Sequence, residues 1–301
     1  MRSRLLLNLA LAMLATVLAV YLFWVPQAPA VEPPLPGLDT TQVTTLSIST
    51  IGGSVELMRD DSGWRITAPY LAAANPRAVN RILSRLPPPV HRRYAAEELD
   101  LAATGLSPAQ ITVTLDSDTT LAFGSRAPLE GYRYLLVDGT IYLAEDSVYY
   151  LMSGGASLLV DRHLVPEGAV IDRIELPIIT LTRGEAGWQR EPDDGATSDA
   201  DQTLVDRWSS SQAISVIVLP DQLPEDLQRI VIITADGAVR ALWSDPAEDG
   251  LHLYDLDGGA VYEMPGGLRG ALLGLDREPA TAGDDEADDA LVDPGSGPGA
   301  G

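Results

Sequence analysis

The chain has 301 residues, 46% of them hydrophobic, and a formal net charge of -23. It is therefore long enough to bury a core in one large domain or two modest ones. All 20 basic residues are arginines and 43 acidic residues outnumber them. This balance argues against a general nucleic-acid binder, which neutralises phosphates with cationic side chains. Without cysteine or lysine, the chain has no thiol nucleophile, disulfide, thiolate metal site, Schiff base or phosphate-loop lysine.

The N-terminal segment predicts a membrane anchor. An uncharged, apolar run from Leu5 to Val25 follows two arginines, and its length matches the ~20 residues that cross a bilayer as a helix. Because arginines stay on the cytoplasmic side, residues 1–25 are predicted as a cytoplasmic stub and single transmembrane helix of a bacterial inner membrane, with the bulk of the chain periplasmic. A cleaved signal peptide is the alternative, since Ala28 and Ala30 suit a cleavage site. We favour the anchor because the run exceeds the usual apolar region of ~7–15 residues.

Two further segments differ in composition from the folded part. Residues 26–37 are rich in proline, which favours an extended, semi-rigid spacer. Residues 276–301 carry eight acidic residues against one arginine and few apolar side chains. The sequence therefore predicts a disordered acidic tail after the folded part.

Residues 38–168 are predicted as a first module with a mainly antiparallel sheet and one covering helix. Its helix is predicted to begin after the N-cap Asn75 and to end before Pro87, with apolar residues at helical spacing between them. Short segments rich in β-branched and aromatic residues, separated by Gly- and Asp-containing turns, are typical of strands. The predicted strands are 43–50, the hairpin 54–69, 111–115, 119–124, 132–137 and 140–144, and a short helix is predicted around 147–152.

A second module, residues 169–275, is predicted as a repeat of the first. The dipeptide Gly63-Trp64 returns as Gly187-Trp188, and the strand pair around Gly139 returns around Gly259. These pairs are separated by 124 and 120 residues, a nearly constant shift that indicates duplication. We therefore expect an α+β protein: a transmembrane helix followed by two duplicated modules, each a mainly antiparallel sheet with a covering helix.

One concentrated group of basic residues occurs in this acidic chain, and we call it the arginine surface. Three of its members recur at helical spacing on the first predicted helix and three follow that helix, and its residues are Arg77, Arg81, Arg85, His91, Arg92 and Arg93. One interpretation is a solvated face balanced by Glu97 and Glu98. The other is a docking surface for an acidic partner or for lipid headgroups.

No catalytic motif is present, and we predict no catalytic, cofactor-binding or metal-binding residues. His91, His163 and His252 are far apart in the sequence. The acidic pairs Asp116/Asp118 and Asp255/Asp257 fall at predicted turns, where Asp binds the local backbone. The tryptophans of the two hairpins could stack a ligand, but the head of an amphipathic strand favours the core.

The order of these features resembles the DUF4340 family of bacterial membrane-anchored proteins of unassigned function. The resemblance covers about residues 1–275: the anchor RSRLLLNLALAMLA, the spacer, and the segments LMRDDSGWRITAPY, HRRYAAEELDLAATGL and FGSRAPLEGYRYLLVDGTIYL. Members are often encoded beside ABC-type transporters of the gliding-motility kind, so the resemblance implies an accessory role in the envelope. It supplies no active-site residues.

Two functions of different classes are compatible with the sequence. The preferred hypothesis is a non-catalytic, membrane-anchored accessory protein that docks an ABC-type transporter or another envelope complex. The alternative is an extracytoplasmic hydrolase or small-ligand-binding protein that uses histidine and carboxylates, and whether the chain is an enzyme stays open at this point.

Overall fold

The computed structural model describes residues 12–17, 34–247 and 250–275. Residues 12–17 are helical, while the rest of the predicted anchor, most of the predicted spacer and the predicted acidic tail lie outside the described residues. Within the part that is described, no helix combines the length and the apolar character needed to cross a bilayer.

The first sheet has nine antiparallel strands in the order β4-β3-β2-β1-β6-β7-β8-β9-β5. Strands β1 to β4 pair in succession, as do β6 to β9, while β1 also pairs with β6 and β5 pairs with β9. The strands are β1 (Thr45–Thr50), β2 (Gly53–Asp60), β3 (Gly63–Ala68), β4 (Ala72–Ala73), β5 (Val90–Ala95), β6 (Ile111–Leu115), β7 (Thr119–Arg126), β8 (Tyr132–Val137) and β9 (Thr140–Glu145).

The second sheet has eight strands in the order β12-β11-β10-β14-β15-β16-β17-β13. Apart from the short β4, this order repeats that of the first sheet, with β1 matched to β10 and the edge strand β5 matched to β13. The strands are β10 (Ile171–Glu175), β11 (Thr180–Gly184), β12 (Gly187–Glu191), β13 (Ser215–Val218), β14 (Gln228–Thr234), β15 (Val239–Ser244), β16 (His252–Asp255) and β17 (Ala260–Glu263).

Few helices accompany the sheets. They are α1 (Pro76–Arg85), α2 (Tyr149–Met152), α3 (Ala156–Leu159), α4 (Ser198–Ser210) and α5 (Leu268–Leu273), with a 3₁₀ turn at Ala96–Glu98. The protein is thus mainly β, and the α+β class that we predicted overstates the helical part. Among the described residues, only α1 and α4 exceed six residues, and α2 and α3 have four residues each. The sheets themselves are antiparallel, as predicted.

The core of the first sheet follows from its period-2 pattern. Side chains such as Ile48, Val55 and Val113, which lie opposite one another on β1, β2 and β6, are fully buried because paired residues share one face. The helix α1 contacts β3 and buries an apolar stripe of its own. Its start is fixed by Asn75, whose side chain accepts hydrogen bonds from the N–H groups of Arg77 and Ala78, as the sequence predicts.

The sequence pattern did not predict three strands, which are the two-residue β4 and the longer β5 and β13. Both β5 and β13 are edge strands, and neither shows a clear apolar-polar alternation: β5 reads VHRRYA, and β13 has only four residues. An edge strand is held by backbone pairing on one side and need not bury alternate side chains. Pairing with β9 and β17, rather than a local pattern, therefore creates them.

By internal contacts the chain divides into two compact units. The first unit contains residues up to Arg162 together with Ala213–Leu223 and Leu253–Glu263. The second contains His163–Gln212, Pro224–His252 and the residues from Met264 onward. The arginine surface belongs to the first unit alone.

Candidate functional site

Three members of the arginine surface lie on α1. Arg77, Arg81 and Arg85 are exposed, while Val79 and Ile82 on the opposite side are buried. This division follows from the helical period, since residues four apart share a face. The helix α1 itself carries no acidic residue.

The other three members lie on β5, at the edge of the nine-stranded sheet. His91, Arg92 and Arg93 are all exposed. The pairing of β5 with β9 shifts register between Val90 and Arg92, so that His91 sits at an irregularity of the strand. The His91 ring lies 5.1 Å from that of Tyr132, measured between centroids. Adjacent residues of a strand point to opposite faces, so Arg92 and Arg93 spread their charge to both sides of this edge.

Most of these cations have no acidic partner in the described part of the chain. There, the guanidinium groups of Arg81, Arg85, Arg92 and Arg93 make neither a hydrogen bond nor an ion pair. If the arginine surface were only a solvated face, Glu97 and Glu98 would balance its charge. Both are exposed in the 3₁₀ turn that follows β5, and no ion pair joins them to these four arginines among the described residues.

Arginines elsewhere in the protein behave differently. Arg133 is almost fully buried, and its Nε donates to an oxygen of Asp146 at 2.8 Å. In the second unit, Arg190 makes an ion pair with Asp201 at 2.6 Å. These two arginines are bound into the fold through charge-assisted hydrogen bonds. The guanidinium groups of Arg81, Arg85, Arg92 and Arg93 are instead exposed and make no ion pair among the described residues.

The chain enters the first unit beside this surface. The backbone N–H of Leu35 donates to the carbonyl oxygen of Pro88 at 3.0 Å, and Pro34 forms a bridge with Pro89. Leu35 is buried, and the hydroxyl of Thr40 donates to the carbonyl oxygen of Leu83 at 2.8 Å. Residues 34–40 are therefore fixed to the end of α1 and to the connection between α1 and β5.

The histidines are distributed over both units. His91 is exposed in the first unit, whereas His163 and His252 are half-buried in the second. The Nε2 atom of His163 lies 2.7 Å from Nε2 of Gln212. Within the described residues, no group of three His, Asp or Glu side chains is placed to hold a metal ion. The hydrolase or ligand-binding alternative stays a prediction.

The acidic pairs lie at hairpin turns, as the sequence predicts, with Asp116, Asp118 and Asp257 in turns and Asp255 as the last residue of β16. Asp116 accepts hydrogen bonds from the backbone N–H groups of Thr44 and Thr45, both at 2.9 Å. These bonds hold the pKa of Asp116 below its usual value, because they stabilise the carboxylate. Asp255 accepts a hydrogen bond from the N–H of Gly258 at 2.7 Å.

The two hairpin tryptophans differ in burial. Trp64 is buried in the core of the first sheet. Trp188 is half-buried, donates from Nε1 to the side-chain oxygen of Gln202 at 2.9 Å, and lies under the guanidinium of Arg183 at 4.6 Å from the ring centroid. Trp64 thus packs in the core, and Trp188 contacts Gln202 and Arg183 of its own chain.

A shallow surface concavity of about 390 Å³ lies in the second unit. Polar side chains from β10, β11 and β14 contribute to its wall. One of them, Glu175, already accepts a hydrogen bond from Arg173 at 2.9 Å. The lining contains no histidine and comprises Glu175, Leu176, Pro177, Thr180, Gln228, Arg229 and Val231.

The fold and the surface define a mainly antiparallel β protein that presents exposed arginines from a helix and an adjoining edge strand. The chain belongs to the DUF4340 family, a domain of unknown function, whose profile matches residues 64–228. That range includes the entire arginine surface. No curated protein and no solved structure matches the chain.

Proposed function

We propose that this protein is a membrane-anchored accessory protein of the bacterial envelope. In this proposal it is held in the inner membrane by its N-terminal helix, with the N-terminus cytoplasmic and the folded part periplasmic. It catalyses no reaction and docks an ABC-type transporter or another envelope complex. The observation that carries the proposal is the set of four exposed arginines, Arg81, Arg85, Arg92 and Arg93, whose guanidinium groups make no ion pair in the described part of the chain.

A row of like charges on one helix face is not explained by stability. Arginines at positions i, i+4 and i+8 repel one another and cost a few tenths of a kcal/mol for each pair. The β5 cations add to the same positive potential. In a chain of net charge -23, such a patch attracts acidic groups and raises the rate at which an acidic partner meets this face.

We further propose that the two sheets are duplicated modules, each covered by one helix. The repeated strand order supports this, as do the contacts of α1 with β3 and of α4 with β10 and β12. The two helices differ in charge, since α4 carries Arg207 as its single arginine and has Asp199 and Asp201 in its first turn. On this proposal the first module binds and the second supports it.

Charge reversal tests the docking function. In the full-length, detergent-solubilised protein, Arg81, Arg85, Arg92 and Arg93 are changed together to Glu. The expected result is a loss of about tenfold or more in co-purified partner proteins, because attraction becomes repulsion. Circular dichroism verifies that the variant folds.

The matched control is Arg207→Glu, which reverses an exposed arginine on the corresponding helix of the second module. This variant is expected to retain the partners. Unchanged recovery with the fourfold variant, or an equal loss with the control, would show that the arginine surface does not mediate docking.

A further inference from the structure

The position at which the chain enters the first unit limits where the arginine surface can lie. Leu35 is fixed to Pro88, three residues before His91 and three after Arg85. The predicted anchor ends at Val25, so only nine peptide steps separate it from Pro34. A chain of that length spans at most about 30 Å, and about 28 Å in the extended conformation that prolines favour.

The arginine surface is therefore confined to the neighbourhood of the bilayer on which the anchor stands. The helix α1 has ten residues and is about 15 Å long, so its whole arginine row lies near the point of entry. Because the protein as a whole is strongly acidic, an anionic bilayer repels most of its surface. A basic face at the point of attachment is the face that such a bilayer attracts.

We propose that the arginine surface binds the anionic phospholipid headgroups of the membrane that holds the anchor, and so fixes the orientation in which the first unit docks its complex. This inference rests on the proposed function, because it requires the predicted anchor. It identifies the direct ligand of the surface as phosphate-bearing lipid.

Two properties favour headgroups over an acidic protein as this ligand. The tether keeps the surface at a high effective concentration relative to the bilayer at all times. The cations also extend over a helix and a strand edge, a broad distribution that suits a layer of many headgroups, where each arginine contributes about 1 kcal/mol.

Headgroup proximity can be measured in the full-length chain because it contains no cysteine. Ser84, exposed on α1 between two of the arginines, is changed to Cys and labelled with a fluorophore. The protein is reconstituted in nanodiscs of phosphatidylcholine, with or without phosphatidylglycerol, each carrying a headgroup-attached quencher. We expect quenching to rise about twofold or more with phosphatidylglycerol and to decline at high salt, as screening requires.

Variants of the arginines test whether the quenching depends on their charge or only on the folded state of the protein. Changing Arg81, Arg85, Arg92 and Arg93 to Gln, or to Glu, is expected to abolish the dependence of quenching on lipid charge. The Gln set removes charge without introducing repulsion and so guards against misfolding. Arg207→Glu is expected to quench like the parent. Quenching that is equal in both lipids, or insensitive to these variants, would overturn the inference.

The two proposals fail in different ways. If quenching follows lipid charge but co-purification survives the Glu variant, the inference holds and the docking function fails. If co-purification needs the arginines while quenching ignores lipid charge, the surface binds an acidic protein directly and the inference fails. A chain that does not enter nanodiscs overturns both.

Discussion

The backbone N–H of Leu35 donates to the carbonyl oxygen of Pro88 across 53 positions of sequence, at 3.0 Å. This hydrogen bond joins the segment that leads from the predicted anchor to the connection between α1 and β5. The buried side chain of Leu35 accompanies it. The segment around Leu35 and the connection between the two parts of the arginine surface therefore belong to one local structure.

Leu35→Ala is expected to lower the free energy of unfolding by about 2–3 kcal/mol, because it removes a buried side chain and leaves a cavity. Urea denaturation followed by circular dichroism measures the change. Leu129→Ala is the control, since Leu129 is 44% exposed in the same unit and its truncation should cost under about 0.5 kcal/mol. Equal losses in the two variants would contradict the burial of Leu35.

A second relationship stabilises the interior of the first unit. The guanidinium of Arg133 donates to both carboxylate oxygens of Asp146 and to the amide oxygen of Gln110 at 2.9 Å. It also lies 3.5 Å from the ring centroid of Tyr149. Both charged side chains are less than 10% exposed, so water cannot replace either partner.

Asp146→Ala is therefore expected to destabilise the protein by about 3–5 kcal/mol, because it leaves the Arg133 charge buried without its counter-ion. Arg126→Ala offers a matched comparison, since Arg126 also pairs with Asp146 but is 62% exposed. Loss of that exposed pair should cost under about 1 kcal/mol. Thermal or urea unfolding measures the loss of stability in the two variants. Similar losses would contradict the burial of the pair between Arg133 and Asp146.

The sequence predicts local structure better than it predicts long-range pairing. Strands β6 and β8 have the predicted bounds, because β-branched and aromatic residues followed by an Asp-containing turn determine them locally. The Asn75 cap is equally local. In contrast, β5 depends on pairing with β9, and the partner of Leu35 is set by the path of the chain through the fold.

For the arginine surface too, the sequence predicts the local features but not the long-range contacts. The identities of its six residues follow from the sequence, since arginines at helical spacing stand out in an acidic chain. That β5 is an edge strand, and that the chain enters beside it, depends on contacts between residues far apart in the sequence. The buried pairing of Arg133 with Asp146 also had no local signal, because a single arginine in an apolar strand does not reveal its counter-ion.

In the second unit, Trp208 is fully buried, and its Nε1–H donates to the carbonyl oxygen of Leu272 at 2.8 Å. Trp208→Phe is expected to cost about 2–3 kcal/mol, because it opens a cavity and leaves that carbonyl without its donor. Trp188→Phe is the control, as the Trp188 ring is half-buried and its partner Gln202 is exposed. In urea unfolding followed by circular dichroism, Trp188→Phe should lower the free energy of unfolding by under about 1 kcal/mol. A larger loss for Trp188→Phe than for Trp208→Phe would contradict the structure.

Alkaline pH should test the burial of Tyr70. Its side chain is 4% exposed, and its hydroxyl donates to the carbonyl oxygen of Val216 at 3.4 Å. Burial raises the pKa of Tyr70 to about 12, and the neighbouring Tyr262 phenol contributes in the same direction. The folded-state pKa thus exceeds the unfolded value of 10.0, because ionisation is disfavoured in the core.

The stability that Tyr70 contributes is therefore fully present below pH 10 and is lost as the pH rises through about 12, where the unfolded chain ionises first. Over this window the free energy of unfolding should decline by up to about 1.4 kcal/mol per pH unit for this group. Tyr70→Phe is expected to flatten that part of the decline, as measured by urea denaturation between about pH 9 and 12. Tyr150→Phe, which removes an exposed hydroxyl from the same unit, is the control. A Tyr70→Phe variant with the parental alkaline profile would show that the phenol ionises equally in both states, which its burial does not allow.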